Sequence, residues 1–390
     1  MLLSQFTQTR QKTEALCEPL NIEDYIPQAV DFASPPKWHL AHVTWFFEEM
    51  ILTKYVDDYH VFDESFNFLF NSYYQTVGER ARRAERGVIT RPTVEQVYQY
   101  RQHVDRHMQI LLSDLSDLSN SEQIRELVVL GINHEQQHQE LLITDLKYVF
   151  AMNPTFPVYS KAFSLVDDHN VERSVNEGDY LPISGGLYDI GSDNKSFCFD
   201  NELGQHQVNL TEFKIAKHLI TNGEFLAFIE AGGYQRFEYW LDEGWTWISE
   251  ENIRHPLYWH KQGDQWFYYT LAGLQPIDPD AILAHVSFYE ANAFATWKGM
   301  RLPTEFEWEI ASPKFNWGSR WEWTSSAYQA YPKFSIREGA VGEYNGKFMV
   351  NQIVLRGASR ATAEGHSRRT YRNFFHPHFQ WQFSGIRLAK

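Results

Sequence analysis

Cysteine is nearly absent from this chain, with only Cys17 and Cys198 among 390 residues. The two stand far apart and neither has a C-x-x-C partner, which argues against a disulfide framework, a thiolate zinc site and an iron–sulfur cluster. Long apolar runs are missing as well. No stretch of 18 apolar residues occurs to cross a bilayer, and the first twenty residues lack the apolar core of a secretion signal. Positive charge is in deficit, 35 Lys and Arg against 50 Asp and Glu, for a formal net charge of −15. Such a balance repels nucleic acid and anionic membrane surfaces, so neither is expected as a partner. The chain reads as a soluble, cytoplasmic protein.

What is abundant is aromatic: 13 Trp, 21 Tyr and 28 Phe, more rings than a core alone requires. Flat rings also line small-molecule pockets. Against the acidic background stands one basic patch, Arg80-Ala81-Arg82-Arg83 with Arg86 and Arg91. A cluster of this kind is either a solvated surface or a holder of carboxylates.

The length suits two domains. Residues 1–152 carry helical spacing throughout. Ser34-Pro35 reads as a helix start, followed by Trp38, Ala41, His42, Trp45 and Phe46 on one face. A second helix begins after Arg91-Pro92-Thr93 and buries Val97, Val104, Met108 and Leu111. With helices near the N-terminus and around residue 134, the pattern predicts a bundle of about four, an architecture whose core commonly houses metals. Residues 153–182 break into Pro, Asp, Asn and Gly and are expected to be a linker. From 183 to 390 the texture becomes short alternating stretches, Gly-Gly pairs and dense Trp and Tyr, which predicts an irregular α+β domain with short helices near Thr221 to Ala231 and Ser287 to Lys298.

The chemistry centres on His134-Glu135-Gln136-Gln137-His138. Histidines four residues apart on a helix point the same way. Leu127, Leu130, His134, His138, Leu141 and Leu142 fall on one stripe, with Ser119 and Glu122 spaced as a capping box at its start. The H-E-x-x-H spacing also belongs to zinc peptidases, where the glutamate is general base. That reading wants a third ligand downstream, and Glu140 follows His138 too closely to supply it. His42, on the stripe of Trp38 and Trp45 in another helix of the bundle, makes a three-histidine site geometrically reasonable, with His39 as the competing candidate. Three neutral imidazoles suit iron, copper or zinc and leave positions open on the ion.

Taken in order, several short motifs resemble the ergothioneine-biosynthesis sulfoxide synthases. In the first half these are Ser34-Pro-Pro-Lys-Trp-His-Leu-Ala-His42, Trp45-Phe-Phe-Glu, Leu69-Phe-Asn-Ser-Tyr-Tyr74, Arg91-Pro-Thr and the His134 to Glu140 run, all similar to the DinB-like half of that family. In the second half, Thr221-Asn-Gly-Glu-Phe, Arg301-Leu-Pro-Thr-Glu-Phe-Glu-Trp-Glu, Trp321-Glu-Trp-Thr and Leu355-Arg-Gly-Ala-Ser resemble a formylglycine-generating-enzyme domain of C-type-lectin-like type. Formylglycine-generating enzymes themselves use a cysteine pair there. This half has only Cys198, so that activity is set aside.

The resemblance implies a DinB-like four-helix bundle fused to an irregular α+β domain. It also implies a mononuclear non-haem Fe(II) enzyme that couples a cysteine-type thiol to the imidazole C2 of trimethylhistidine (hercynine) with O2, giving a sulfoxide. His42, His134 and His138 would hold the iron, and Tyr73 or Tyr74 would be the proton donor. Gln137 with Asn373, Phe374 and Phe375 would meet trimethylhistidine, and Arg80 and Arg83 the thiol's carboxylate. The motifs depart from the family pattern at Arg360 and at His376 to Gln380. The thiol therefore stays open between cysteine, γ-glutamylcysteine and a selenium compound, and so does coupling to unmethylated histidine.

Overall fold

The computed structural model describes residues 1–72, 80–163, 179–335 and 345–390. These form two compact units. The first is Met1–Thr155 with Ala361–His366; the second holds the described residues of Phe156–Arg337, Asn345–Arg360 and Ser367–Lys390. No described helix is long and apolar enough to cross a membrane.

The first unit is helical. Its elements are α1 (Leu2–Cys17), α2 (Pro36–Phe47), the short α3 (Thr53–Tyr55) and α4 (Phe66–Phe70), then α5 (Val94–Ser113) and α6 (Ser121–Met152). The four long helices pack as α1 on α6, α2 on α5 and α2 on α6. Helix α5 starts at a reciprocal cap, Gln96 N donating to Thr93 Oγ1 and Thr93 N to Gln96 Oε1, and its expected stripe of Val97, Val104, Met108 and Leu111 is buried. Burying each of these contributes about 1.5–3 kcal/mol relative to exposure.

Two helix starts differ from expectation. Helix α2 begins one residue later, with Pro36 at its first position, because Ser34 is engaged elsewhere: its Oγ accepts from Arg86 Nη1 at 2.8 Å. Helix α6 has Asn120 as N-cap and no side-chain cap. Ser119 precedes the helix in the turn closed by Ser121 N donating to the Leu118 carbonyl at 3.2 Å, so the box spacing at Ser119 and Glu122 is not used.

One glycine governs the approach of α2 to α6. A Cβ on Gly131 would fall 2.5 Å from Phe47 Cε1 and 3.0 Å from Phe46 Cε1, closer than van der Waals contact allows, so only a residue without a side chain permits this crossing. The segment Ala361–His366 belongs to this unit too. There Thr362 Oγ1 donates to Glu140 Oε2 at 2.7 Å, and His366 Nδ1 lies 3.1 Å from Gln136 Oε1, both on the side of α6 turned away from the histidine stripe.

The second unit is α+β. Helices α7 (Asn222–Glu230), α8 (Asp242–Glu250), α9 (Phe288–Trp297) and α10 (Glu305–Ala311) accompany strands β1 (Tyr180–Ile183), β2 (Gly186–Ile190), β3 (His206–Leu210), β4 (Phe213–Ala216), β5 (Trp259–Gln262), β6 (Gln265–Thr270), β7 (Gly273–Pro276), β8 (Trp321–Ala327), β9 (Ile353–Gly357), β10 (Asn373–Phe375) and β11 (Ser384–Gly385). The strands make small sheets, β1-β4, β2-β3, β5-β6-β7 and the four-stranded β10-β9-β8-β11, in which only β11 runs parallel to its neighbour. Helices α7 and α9 stand where the spacing places them, each opened by a capping box, Thr221 with Glu224 and Ser287 with Glu290. The same signature at Thr304 and Glu307 opens α10.

The core of this unit is aromatic and ionic at once. Trp308, Trp321 and Trp323 are buried. Glu322 on β8 accepts from Trp308 Nε1 at 2.6 Å and from both Nε and Nη2 of Arg387 at 2.6 and 2.8 Å. A carboxylate this deep is tolerated because its oxygens are saturated by charge-assisted donors.

Candidate metal centre

Three imidazoles meet inside the helical unit. His42 comes from α2, and His134 and His138 from successive turns of α6; one ring nitrogen of each lies within 4.8 Å of the others. The Nε2 atoms of His42 and His134 are 3.2 Å apart. His42 Nδ1 lies 2.6 Å from the Phe70 carbonyl oxygen, which can only accept. The proton of the neutral ring is therefore on Nδ1, and Nε2 presents a lone pair toward the other two rings. Buried lone pairs gathered at one point repel unless a cation or proton sits among them, so the donor set fits a divalent ion.

Charge at the centre is consistent with this. Burial holds the His134 imidazolium down to about 4. Burial, then the neighbouring His134, pushes His42 well below the ordinary histidine range, and burial followed by His42 does the same to His138. All three are neutral at pH 7, the form in which histidine ligates a metal.

The rings are held before any ion arrives. His42 is sandwiched between two indoles, Trp38 at 4.5 Å and 13° and Trp45 at 5.7 Å and 14°. Arg86 caps the stack with its guanidinium carbon 3.3 Å from the Trp38 ring centre, a buried cation–π contact. Helix α4 pins the same layer, Trp38 Nε1 donating to the Leu69 carbonyl at 3.2 Å and Trp45 Nε1 to Asn67 Oδ1 at 2.8 Å. The Phe46 ring leans on His134 at 4.9 Å.

Glu135 points off the histidine stripe, to an adjoining flank of α6. Its Oε2 accepts from Arg10 Nη1 at 2.8 Å, and its Oε1 from Thr13 Oγ1 at 2.6 Å and Arg101 Nη2 at 3.2 Å. Burial alone would raise its pKa, but the two guanidiniums outweigh burial and hold the carboxyl below its usual range. A carboxylate so engaged, about 100° round the helix from His134, has no access to a metal-bound water. The zinc-hydrolase alternative that rests on Glu135 as general base is thereby removed.

The remaining sequence candidates are distributed as follows. His39, the competing third ligand, is outside the cluster of three and stands behind His138, their Nδ1 atoms 2.9 Å apart. Gln137 is partly buried on α6 beside His138. Arg80 donates through Nη1 to the Ser72 carbonyl and Arg83 through Nη2 to the Phe32 carbonyl. Tyr73 and Tyr74 lie outside the described residues. Asn373, Phe374 and Phe375 belong to the second unit, where Phe374 stacks on Tyr328 at 4.0 Å and Phe375 meets Trp381 edge-on at 5.0 Å.

Sequence reasoning missed Asp145 and Arg86 as parts of this centre. Asp145 had a legible signal: seven residues beyond His138, it returns to the same helix face after two turns. Arg86 had none, since its partners Ser34 and Ser72 are 52 and 14 residues away.

Comparison with known proteins agrees with this architecture. Residues 5–142 match the DinB superfamily and residues 167–320 the sulfatase-modifying factor enzyme 1-like domain. A hercynine oxygenase of Mycolicibacterium smegmatis is 29% identical over 313 residues, 67% of this chain and 70% of the relative. Ergothioneine biosynthesis protein 1 of Schizosaccharomyces pombe is 24% identical over 231 residues, 50% of this chain and 28% of the relative. A formylglycine-generating enzyme of Thermomonospora curvata is 30% identical over 163 residues, 36% of this chain and 52% of the relative. The chain thus joins a region similar to the DinB superfamily to one similar to the sulfatase-modifying factor enzyme 1-like domain, the two-domain arrangement that its motifs resemble.

Proposed function

We propose that this protein is a non-haem Fe(II), O2-dependent sulfoxide synthase. It joins the sulfur of a cysteine-type thiol to the imidazole C2 of trimethylhistidine. The observation that carries the reading is the convergence of His42, His134 and His138 in a buried, neutral cluster, within a chain similar over two thirds of its length to hercynine oxygenases.

The reaction balances as one thiol S–H and one ring C2–H lost and one C–S and one S=O bond formed. Its four electrons reduce O2, with one oxygen atom in the sulfoxide and the other in water. Bound iron supplies the site at which O2 is reduced while thiolate and ring are held together. The chain's own residues do the rest. Three neutral ligands leave the ion its full charge and several open positions for anionic and neutral reactants. Gln137, one residue from His138, is assigned to the substrate imidazole. Arg80 and Arg83 are assigned to the thiol's carboxylate, for which a planar guanidinium is the suited partner. Tyr73 or Tyr74 is assigned to proton delivery, work typically worth about 10²- to 10⁴-fold.

The test is direct. Anaerobically prepared, Fe(II)-loaded protein is given trimethylhistidine with cysteine or with γ-glutamylcysteine, O2 is admitted, and the products are read by mass spectrometry. A coupled sulfoxide with one thiol identifies reaction and substrate together. Iron bound stoichiometrically with no coupled product from either thiol overturns the reading and moves the search to unmethylated histidine and selenium donors.

A further inference from the structure

Behind the metal ligands lies a second pair of side chains that the proposed chemistry does not use. His39 is buried one turn before His42 on α2. Its Nδ1 is 2.9 Å from His138 Nδ1 and its Nε2 is 3.1 Å from Asp145 Oδ2. Asp145 is also buried, and the same oxygen accepts from the Ser34 backbone N–H at 2.8 Å.

The direction of these bonds follows from what each group can do. An ionised carboxylate only accepts, so His39 must carry its proton on Nε2. A neutral His39 then has a lone pair on Nδ1, and the contact at 2.9 Å requires the proton on His138 Nδ1. The remaining lone pair of His138 is then on Nε2. We propose that Asp145 and His39 form a relay that fixes the tautomer and orientation of His138 as a ligand, so that both are positioning residues of the metal centre. The three ligands are thereby served differently. His42 donates its far N–H to a neutral acceptor, the Phe70 carbonyl, whereas His138 is fixed through a second imidazole by a charge. Hydrogen bonding of a ligand's far nitrogen to a carboxylate raises its basicity, and removing such a partner typically lowers metal affinity about 10- to 100-fold.

This inference rests on the metal-binding reading above, and its test separates the two. Fe(II) affinity is measured by anaerobic titration, and the visible absorption spectrum of the Co(II)-loaded protein is recorded, for the wild type, His39→Phe and His39→Gln. The expected result is affinity about 10- to 100-fold weaker and a shifted Co(II) spectrum in His39→Phe. Most of both should return in His39→Gln, whose amide oxygen can accept from His138 Nδ1. A merely structural His39 would lower thermal stability without moving the spectrum. Wild-type affinity and spectrum in a folded His39→Phe overturns the relay alone, while a wild type that takes up neither metal overturns the function and the relay together. Should His39→Phe not fold, ¹⁵N chemical shifts of the metal-free wild type decide. Protonation of His39 at Nε2 and of His138 at Nδ1 is expected, and a proton on His138 Nε2 overturns the proposal.

Discussion

His134 and Glu135 are neighbours in the chain and turn to different flanks of the same helix. One face of α6 buries imidazoles and keeps them neutral. The other buries a carboxylate and keeps it charged, with Arg10 tied to Asp105 and Glu135 and Arg101 tied to Glu14 and Glu135. Both faces meet the same cost, removal of a polar group from water. The ionic face meets it with partners supplied by the protein, which makes it part of the frame. The histidine face leaves its lone pairs pointing inward, which makes it a receptor. Adjacent residues on a helix are thus assigned to structure and to chemistry by the 100° between them.

That division can be broken from either side. The largest effect is expected from Glu135→Ala, which leaves two buried guanidiniums without their shared carboxylate. Removing one partner of such a network costs about 3–5 kcal/mol, measurable as a lower urea midpoint in metal-free protein, and a loss under 1 kcal/mol would mean the network is not part of the frame. Next is the contribution of the metal. Fe(II) at 100 times its dissociation constant should add about 2.7 kcal/mol to the unfolding free energy of the wild type and nothing to His134→Ala; equal stabilisation of both would place the ion elsewhere.

Gly131→Ala sharpens the comparison by prising α2 from α6. A methyl group there meets Phe47 and Phe46, and overpacking of this kind costs about 1–3 kcal/mol. Since the crossing brings His42 to His134, Fe(II) affinity should fall together with stability. An intact affinity would show that the helices can part without moving the ligands.

Acid probes the histidine face of the metal-free protein one pH unit at a time. The folded rings resist protonation while unfolded histidine takes it up near pH 6.5. The unfolded state therefore binds more protons as pH falls from about 6.5, and stability declines by up to about 1.4 kcal/mol per pH unit for each such ring. For His134 the decline ends at about 4. The contribution is fully present above pH 6.5, so a flat stability profile between 4 and 6.5 would contradict neutral burial. The depressed Glu135 carboxyl acts in a lower window, its contribution being lost only as pH falls through its folded value.

Much of this was legible in residue spacing. The histidine pair, the helix carrying His42 and the helix starts near Thr93, Thr221 and Ser287 are local signals, and local signals survive folding because they are satisfied within one or two turns. The misreadings are instructive for the same reason. Ser119 has the right spacing to Glu122 but lies one residue ahead of the N-cap Asn120, whereas Thr304 and Glu307 form a true box that opens α10. The partners of Glu135 were beyond reach: Arg10 is 125 residues away and Arg101 is 34. That His39 bonds to Asp145 and stays outside the cluster of three likewise depends on the packing of α2 on α6.

The six residues Ala361–His366 are counted with the helices although more than two hundred residues separate them from α6. Their hydrogen bonds end on Glu140 and Gln136, within one turn of His138. Dissecting the gene after the last bundle helix would therefore yield an incomplete bundle. A fragment ending at Thr155 lacks the threonine and histidine that clamp the back of the ligand helix, and the folding unit and the contiguous stretch of sequence are here two different things.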